Sequence, residues 1–175
     1  MRRKLIGTLA FSVALVWVAA PARTVQATLA SGFASTTLSV DRFDAFETSN
    51  IALPDNLWGN WRKKVWLSLQ KTKGSSDLYV LNNVWQPGGS SGWHTHPGHS
   101  LITVTAGTLT AYESDDPYCT PHVYTQGMGF IDEGGDHVHL IRNEDSVQAS
   151  TITVQLVQAG ATRRIDAEAP ASCGF

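Results

Sequence analysis

All six histidines of the chain lie between positions 94 and 139, and four of them form two His-x-His pairs, at residues 94–96 and 137–139. In a β-strand, residues two apart point to the same face of the sheet, so both imidazoles of such a pair can reach one point. Imidazole is the commonest protein ligand for Zn, Cu, Fe and Ni. Two such pairs on separate strands of one sheet would supply three or four nitrogens to a metal ion.

The segments around these histidines have the composition of β-strands. They are rich in β-branched and aromatic residues and are separated by turns that contain Gly, Pro and Asn. The predicted strands are residues 64–70, 77–85, 101–105, 108–112, 137–141 and 150–157. Residues 36–40 form a candidate outer strand, whereas residues 49–59 are expected to be irregular. No amphipathic helix of useful length is predicted, and many short strands indicate a β-sandwich or a closed barrel.

The spacing around the first pair is Gly88-x5-His94-x-His96-x3-Ser100-x6-Gly107, and the second pair ends in His139-x3-Asn143. This spacing resembles the two motifs of the cupin family, G-x5-H-x-H-x3-E-x6-G and G-x5-P-x-G-x2-H-x3-N. The resemblance implies an all-β fold of one domain, the double-stranded β-helix or jelly-roll barrel. It also implies a metal site at three histidines, which are His94, His96 and His139.

Departures from the family pattern at positions 100, 134 and 136 matter for the site. Ser100 stands where motif 1 has its glutamate, and Gly134 and Asp136 stand where motif 2 has a proline and its second glycine. The family's carboxylate ligand therefore has no counterpart at its usual position. Since position 100 shares parity with positions 94 and 96, Ser100 should face the cavity, and a regular strand would turn His99 outward.

Three further residues are candidates for the pocket. His137 shares parity with His139, so it should point into the same cavity, where a hydrogen-bonding role is favoured over ligation. Trp93 precedes His94 and would form an apolar wall if it flanks the pocket, although packing in the core is the alternative. His99 is expected at the rim or surface, with a replacement-ligand role as the alternative. The candidate residues for the pocket or the surroundings of the metal are Ser100, His137, Trp93 and His99.

Nitrogen ligands favour a divalent transition metal, here Zn, Cu, Ni, Fe or Mn, over Mg or Ca, which prefer oxygen ligands. A barrel without metal is the alternative. No catalytic acid, base or nucleophile is evident, because Asp132, Glu133 and Asp136 are in a polar turn where carboxylates are usually solvated. Three function classes stay open: a metal-dependent oxygenase of small organic molecules, a non-catalytic barrel that binds a small ligand, and a structural or storage role.

The first 27 residues have the features of a secretory signal peptide. A basic start, residues 1–4, precedes an apolar run and small residues suited to cleavage near positions 22 and 27. We therefore expect a secreted or extracytoplasmic protein with no stable membrane span after cleavage; a retained anchor is the alternative. The expected organisation is a signal peptide at 1–27, an N-terminal strand and irregular arm at 28–60, and a barrel at 61–175.

Removal of the first 27 residues takes away four of the 13 basic residues and leaves nine against 15 acidic residues, a net charge of −6. Nucleic-acid binding needs clustered Lys and Arg, so it is not expected. The expected partner is a small molecule, and a homodimer is compatible with the class.

Both cysteines, Cys119 and Cys173, lie in the predicted mature chain. An exported chain meets an oxidising environment in which two thiols tend to form a bridge. We therefore predict a Cys119–Cys173 disulfide; two free or metal-binding thiols are the alternative.

Overall fold

The computed structural model describes residues 27–52 and 66–175. The predicted signal peptide lies outside the described residues except for Ala27, and so does the segment 53–65, which contains the predicted domain boundary. Signal cleavage and the boundary at 60/61 therefore stay predictions.

The described residues form twelve β-strands and no helix. The strands are β1 (Ser31–Phe43), β2 (Glu47–Ala52), β3 (Trp66–Lys71), β4 (Ser76–Ser90), β5 (His94–Thr95), β6 (Ser100–Ala106), β7 (Thr108–Glu113), β8 (His122–Thr125), β9 (Gly129–Asp132), β10 (His139–Arg142), β11 (Ala149–Gln158) and β12 (Ile165–Asp166). The prediction of an all-β fold is confirmed. Nothing in the described ranges is a helix long and apolar enough to cross a membrane.

Ten of the strands belong to one strongly curved sheet. Its main path has the order β12-β5-β10-β4-β11-β6-β9, with β1 paired to β4, β7 to β10, and β8 to β7. The strands β2 and β3 form a separate two-stranded hairpin. In the large sheet, β10 lies between β5 and β7 and pairs antiparallel with both. This arrangement brings the two histidine segments side by side.

The interior of the barrel has an apolar part and a polar part. The apolar cluster is Trp85, Val104, Leu109, Ala111, Ile141 and Ala149. The long strand β11 alternates between buried and half-buried residues, so its inward face places Thr151, Thr153 and Gln155 inside the barrel. Asn83 on β4 donates to Thr151 Oγ1 at 3.3 Å and to Thr153 Oγ1 at 3.0 Å. Because Asn83, Thr151 and Thr153 are paired in this way, the barrel tolerates these polar side chains next to the histidines.

Several strands differ from the sequence prediction. Strand β1 is longer than 36–40 and pairs with β4 from Ser31 to Phe43, and residues 47–52 form β2 where an irregular segment was expected. Strands β8 and β9 were missed because each has only four residues, too few for an alternating pattern to emerge. The omission matters because β9 ends in Asp132.

The predicted disulfide is confirmed. Cys119 and Cys173 are bonded with their Cα atoms 5.4 Å apart, and 54 positions separate them in the chain. Cys173 is buried in a second apolar cluster with Trp93, Tyr112 and Leu140. The bond therefore fastens the C-terminal segment to the loop after β7.

An ion pair joins β1 to β4 and should make stability depend on pH. Arg42 Nε and Nη2 donate to the two carboxylate oxygens of Asp77 at 2.8 and 2.9 Å, and the Gly160 N–H donates at 2.9 Å. The hydrogen bond from Arg42 is the main cause that lowers the pKa of Asp77 from 3.8 to about 2. A lowered pKa stabilises the fold above about pH 4, and the contribution is lost as the pH falls through about 2.

We therefore expect Asp77→Asn to unfold at a lower temperature than the wild type at pH 7, with a difference that vanishes near pH 2. Thermal unfolding followed by circular dichroism at pH 7, 4 and 2 measures it. Asp44→Asn, at an exposed position between β1 and β2, is the control. A difference that stays constant across this range would contradict the assignment.

Candidate metal centre

Three histidines converge because of the strand register. His94 on β5 lies directly opposite His139 on β10, and His96 follows two positions after His94. All three side chains are buried, and one ring nitrogen from each lies within 4.8 Å of the others. The ring centroids of His94 and His139 are 4.3 Å apart, and those of His94 and His96 are 4.8 Å apart. The three imidazoles thus surround one point.

Backbone carbonyls fix the orientation of two of the rings. His94 Nδ1 lies 2.8 Å from the Gly92 carbonyl oxygen, and His96 Nδ1 lies 2.6 Å from the Arg163 carbonyl oxygen. A carbonyl only accepts, so each Nδ1 carries the proton and each Nε2 keeps its lone pair. Histidines that bind metals are usually held in this way, with one ring N–H donating to a carbonyl or carboxylate.

Burial keeps the imidazoles neutral. Desolvation is the main cause that lowers the pKa of His94 well below 6.5, lowers that of His96, and brings that of His139 to about 4. Metal binding requires the neutral form of histidine. At neutral pH all three rings therefore have the protonation state of a ligand.

A carboxylate lies against this cluster. Asp132 at the end of β9 is buried, with Oδ2 3.5 Å from His96 Nε2 and Oδ1 3.4 Å from His139 Nδ1. It is placed there by the pairing of β6 with β9, in which Ser100 is directly opposite Asp132. The expectation that Asp132 belongs to a solvated turn was wrong, because the turn begins only after it.

Two departures from the motif pattern meet at this carboxylate. Ser100 Oγ donates to Asp132 Oδ2 at 3.1 Å, and the Gly134 N–H donates to Asp132 Oδ1 at 2.9 Å. A glutamate at position 100 has no proton to donate when ionised, and a proline at position 134 has no N–H. Ser100 and Gly134 thus both stabilise a carboxylate that comes from a different strand.

Position 134 also requires glycine for its backbone. Its φ is +69°, and a Cβ there would lie 2.3 Å from the Gly98 carbonyl oxygen. Proline has a φ near −65°, so the family residue is incompatible with this turn. The turn that places the Gly134 N–H beside Asp132 therefore requires glycine at position 134.

The residues fit a divalent transition metal. Ligands that are each ~2.1 Å from one ion are at most ~4.2 Å apart, so nitrogens within 4.8 Å need only a small inward movement. Three neutral nitrogens and one carboxylate oxygen suit Zn, Fe, Ni, Cu or Mn. The prediction of a possible metal site at the three histidines agrees with this geometry.

The histidines open onto a small cavity inside the barrel, about 50 Å³ measured to the centres of water-sized spheres. Apolar walls come from Leu81, Trp85, Ile102 and Ile141. The polar lining residues are Ser35, Asn83, Ser100, Asp132, Thr153, Gln155, Arg163 and Arg164. One water needs ~10–15 Å³ by this measure, so the cavity holds roughly three to five waters.

Comparison with known proteins places this region in a family. Residues 84–155 match the family model of the cupin domain. These residues are a cupin domain. The match contains both His-x-His pairs, so the predicted recognition and the predicted jelly-roll fold are confirmed. No curated protein sequence matches the chain.

The cupin barrel is similar to several solved structures. Peruvianin-I, a cysteine peptidase from Thevetia peruviana latex, is 26% identical over 45% of this chain and 49% of its own, with a TM-score of 0.39. An oxalate oxidase is 19% identical over 47% and 46%, with a TM-score of 0.40. A cupin-like protein from Thermotoga maritima is 20% identical over 53% and 65%, with a TM-score of 0.44. The match spans about half the length of the first two.

Of the four pocket residues predicted beside the ligands, only Ser100 lines the cupin cavity. Trp93 does not, because its odd position turns the indole to the other face, into the cluster with Cys173. His99 is exposed and lines an outer groove near Pro97 and Leu156. The structure therefore places His99 at the surface, as expected, and Trp93 in the core, which was the alternative for that residue.

His137 also lies outside the cavity that contains the three histidines. The strand β10 begins only at His139, so alternation does not extend back to His137. Its Nδ1 lies 3.2 Å from Glu113 Oε2 in a neighbouring pocket, which His139 and Asp132 also line. His137 therefore does not share the cavity of His94 and His96 as expected, whereas its contact with Glu113 agrees with the expected hydrogen-bonding role.

Sequence reasoning missed three residues of the site: Asp132, Gln155 and Arg163. Gln155 is on the inward face of a predicted strand, so parity within β11 was a usable signal. Asp132 and Arg163 are placed by long-range contacts of β9 with β6 and of the β11–β12 connection with His96. No local sequence pattern predicts such long-range contacts.

Proposed function

We propose that this chain is an exported cupin that binds one divalent transition metal ion through His94, His96, His139 and Asp132. The observation that carries the proposal is the convergence of three buried, neutral imidazoles with a buried carboxylate at the head of a cavity. In the absence of an ion, Asp132 accepts only from Ser100 and Gly134 among the hydrogen bonds of the described residues. An ionised carboxylate has about four acceptor sites, so it has capacity left for a metal.

The ligand set leaves room for a further ligand from the cavity. Four protein ligands suffice for a tetrahedral ion, whereas Fe, Ni and Mn accept more, and the cavity supplies space beside the histidines. When bound, such an ion supplies Lewis acidity and, if it is redox-active, electrons to a molecule in the cavity. The protein itself holds the imidazoles in one tautomer and excludes bulk water with the apolar walls.

Two features support export. A basic and then apolar start precedes the domain, and the Cys119–Cys173 disulfide is stable in oxidising compartments. The proposed site of action is therefore extracytoplasmic.

The proposed role of Asp132 has a direct test. Asp132→Ser should lower metal affinity by ten-fold or more, a loss of the order seen when metal-site partners are removed. The double substitution Ser100→Glu with Asp132→Ser should restore it, because position 100 faces the same point and the removed carboxylate leaves space. Calorimetric titration of metal-free protein with Zn²⁺ or Ni²⁺, followed by elemental analysis after dialysis, measures both.

Glu133→Gln is the matched control, since the Glu133 side chain is 74% exposed, and it should bind metal like the wild type. Unchanged affinity in Asp132→Ser would remove Asp132 from the ligand set. Absence of stoichiometric metal in the wild type would overturn the proposed function. Oxygen uptake by iron- or copper-loaded protein tests the oxygenase prediction separately.

A further inference from the structure

Arg163 lies in the cavity wall, and no carboxylate among the described residues is paired with it. The structure describes four arginines, and three of them have carboxylate partners: Arg42 with Asp77, Arg142 with Glu144, and Arg164 with Asp166. Within the described residues, Arg163 has no carboxylate within 4.0 Å. Its guanidinium carbon lies 5.9 Å from the centroid of the Tyr79 ring, and the residue is half-buried.

A half-buried guanidinium has lost part of its hydration. Burial is the main cause that lowers the pKa of Arg163, and the nearby charge of Arg164 adds to it. Guanidinium stays protonated in proteins, so Arg163 remains a cation with five N–H donors in a planar fork. The ligand that best matches this fork is a carboxylate or another planar oxyanion.

The charges of the cavity wall also favour an anion. The charged residues that line the cavity are Asp132, Arg163 and Arg164. Arg164 is neutralised by Asp166 at 2.6 Å and donates to the Ser91 carbonyl oxygen at 2.8 Å. A divalent ion held by Asp132 leaves one excess positive charge there, and Arg163 adds a second. An anionic ligand would offset this charge in a site of low dielectric constant.

A second, independent observation concerns Gln155. Its side chain is 1% exposed, its Nε2 donates to Ser100 Oγ at 3.1 Å, and its Oε1 has no hydrogen-bond partner in residues 27–52 and 66–175. The single proton of Ser100 goes to Asp132, so Gln155 must offer its NH₂ group to Ser100, and Oε1 is left over. A buried acceptor without a partner is costly, and a donor on the ligand would satisfy it.

The size of the cavity limits the ligand. A space for roughly three to five waters accepts a molecule of about four to six non-hydrogen atoms.

We propose that the cavity binds a small hydroxycarboxylate, with Arg163 holding its carboxylate and Gln155 Oε1 accepting a hydrogen bond from its hydroxyl group. The inference rests on the proposed function, because the metal centre lines the same cavity and adds to its positive charge. The inference adds the chemical class of the ligand, which the metal site alone does not specify.

Three probes of similar size test this: lactate, propionate, which lacks the hydroxyl, and lactamide, which lacks the charge. Calorimetric titrations use the full chain, both loaded with Zn²⁺ and metal-free, with elemental analysis before and after. Lactate should bind at least about ten-fold more tightly than lactamide, the loss expected for a hydrogen bond to a charged group. The affinity for propionate should lie between the affinities for lactate and lactamide.

Arg163→Gln should reduce lactate binding to the level of lactamide without changing metal content, and Arg163→Lys, which keeps the charge but loses the fork, should be intermediate. Arg142→Gln, which removes an arginine outside the cavity, is the control and should bind lactate like the wild type. Thermal unfolding of each variant checks the fold, and Arg163→Lys serves as the test if Arg163→Gln is unstable.

Lactate binding that is unaffected by Arg163→Gln, or no preference of the wild type for lactate over lactamide, would overturn the proposal. Failure of the proposed function gives a different result, namely no stoichiometric metal. In that case the metal-free titrations still decide whether binding depends on Arg163.

Discussion

Replacing His139 with alanine should abolish stoichiometric metal binding and leave a folded barrel. His139 is the one histidine that a different strand brings to His94 and His96, and without it only two neighbouring imidazoles and Asp132 remain. Loss of one imidazole from the convergent set should lower affinity much more than loss of an outer partner, which costs ~10 to 100-fold. Elemental analysis of the dialysed variant, with circular dichroism as the check on folding, measures the effect.

His137→Ala is the matched control, because it removes the same side chain two positions away. The His137 side chain is hydrogen-bonded to Glu113 and does not line the cavity of the three histidines. This variant should therefore keep metal at full stoichiometry, with at most a modest loss of affinity. The opposite ranking, with full metal in His139→Ala and none in His137→Ala, would mean that the register of β10 is displaced by two residues and that the ligand set must be rebuilt around His137.

Replacing Cys173 with serine should destabilise the protein by ~4 kcal/mol on the chain-entropy model of a cross-link. The disulfide joins two residues that are 54 positions apart in the chain. Cys173 is also buried beside Trp93, Tyr112 and Leu140. For a domain of this size the loss corresponds to a decrease in melting temperature of roughly 10 °C. Thermal unfolding with and without reductant measures it.

Cys119→Ser provides the comparison, since it removes the same bond from an exposed or half-buried position rather than a buried one. Both variants should be destabilised, Cys173→Ser by more, and reductant should affect neither. A wild type whose melting temperature is unchanged by full reduction would show that the cross-link contributes no stability.

The parts of this site that the sequence could predict are those that depend on one strand or one motif. The family spacing identified His94, His96 and His139, and parity placed Ser100 on their side of the sheet. The same rule, applied strictly, would have turned Trp93 away from the cavity. It failed for His137 because alternation holds only within a strand, and β10 begins two residues later.

The remaining parts depend on which strands become neighbours. Asp132 lies beside the histidines because β6 and β9 pair in a register that sets Ser100 opposite Asp132. Arg163 reaches the site because β12 pairs with β5, which places the preceding residues beside His96. Such pairings join residues 32 and 67 positions apart, and a single sequence contains no local signal for them.

The contact between His96 and the Arg163 carbonyl also sets an order of events in the life of the chain. The ribosome synthesises both His-x-His pairs before it reaches Arg163 and Cys173. A nascent chain therefore has the three histidines but lacks the Arg163 carbonyl that fixes the His96 ring. It also lacks the disulfide that fastens the C-terminal segment. The proposed metal site therefore reaches its final geometry only after the C-terminal segment has been synthesised and has docked beside His96. If the proposed export and metal binding are both correct, the complete site would meet the metals of the compartment where the disulfide forms rather than those of the cytosol.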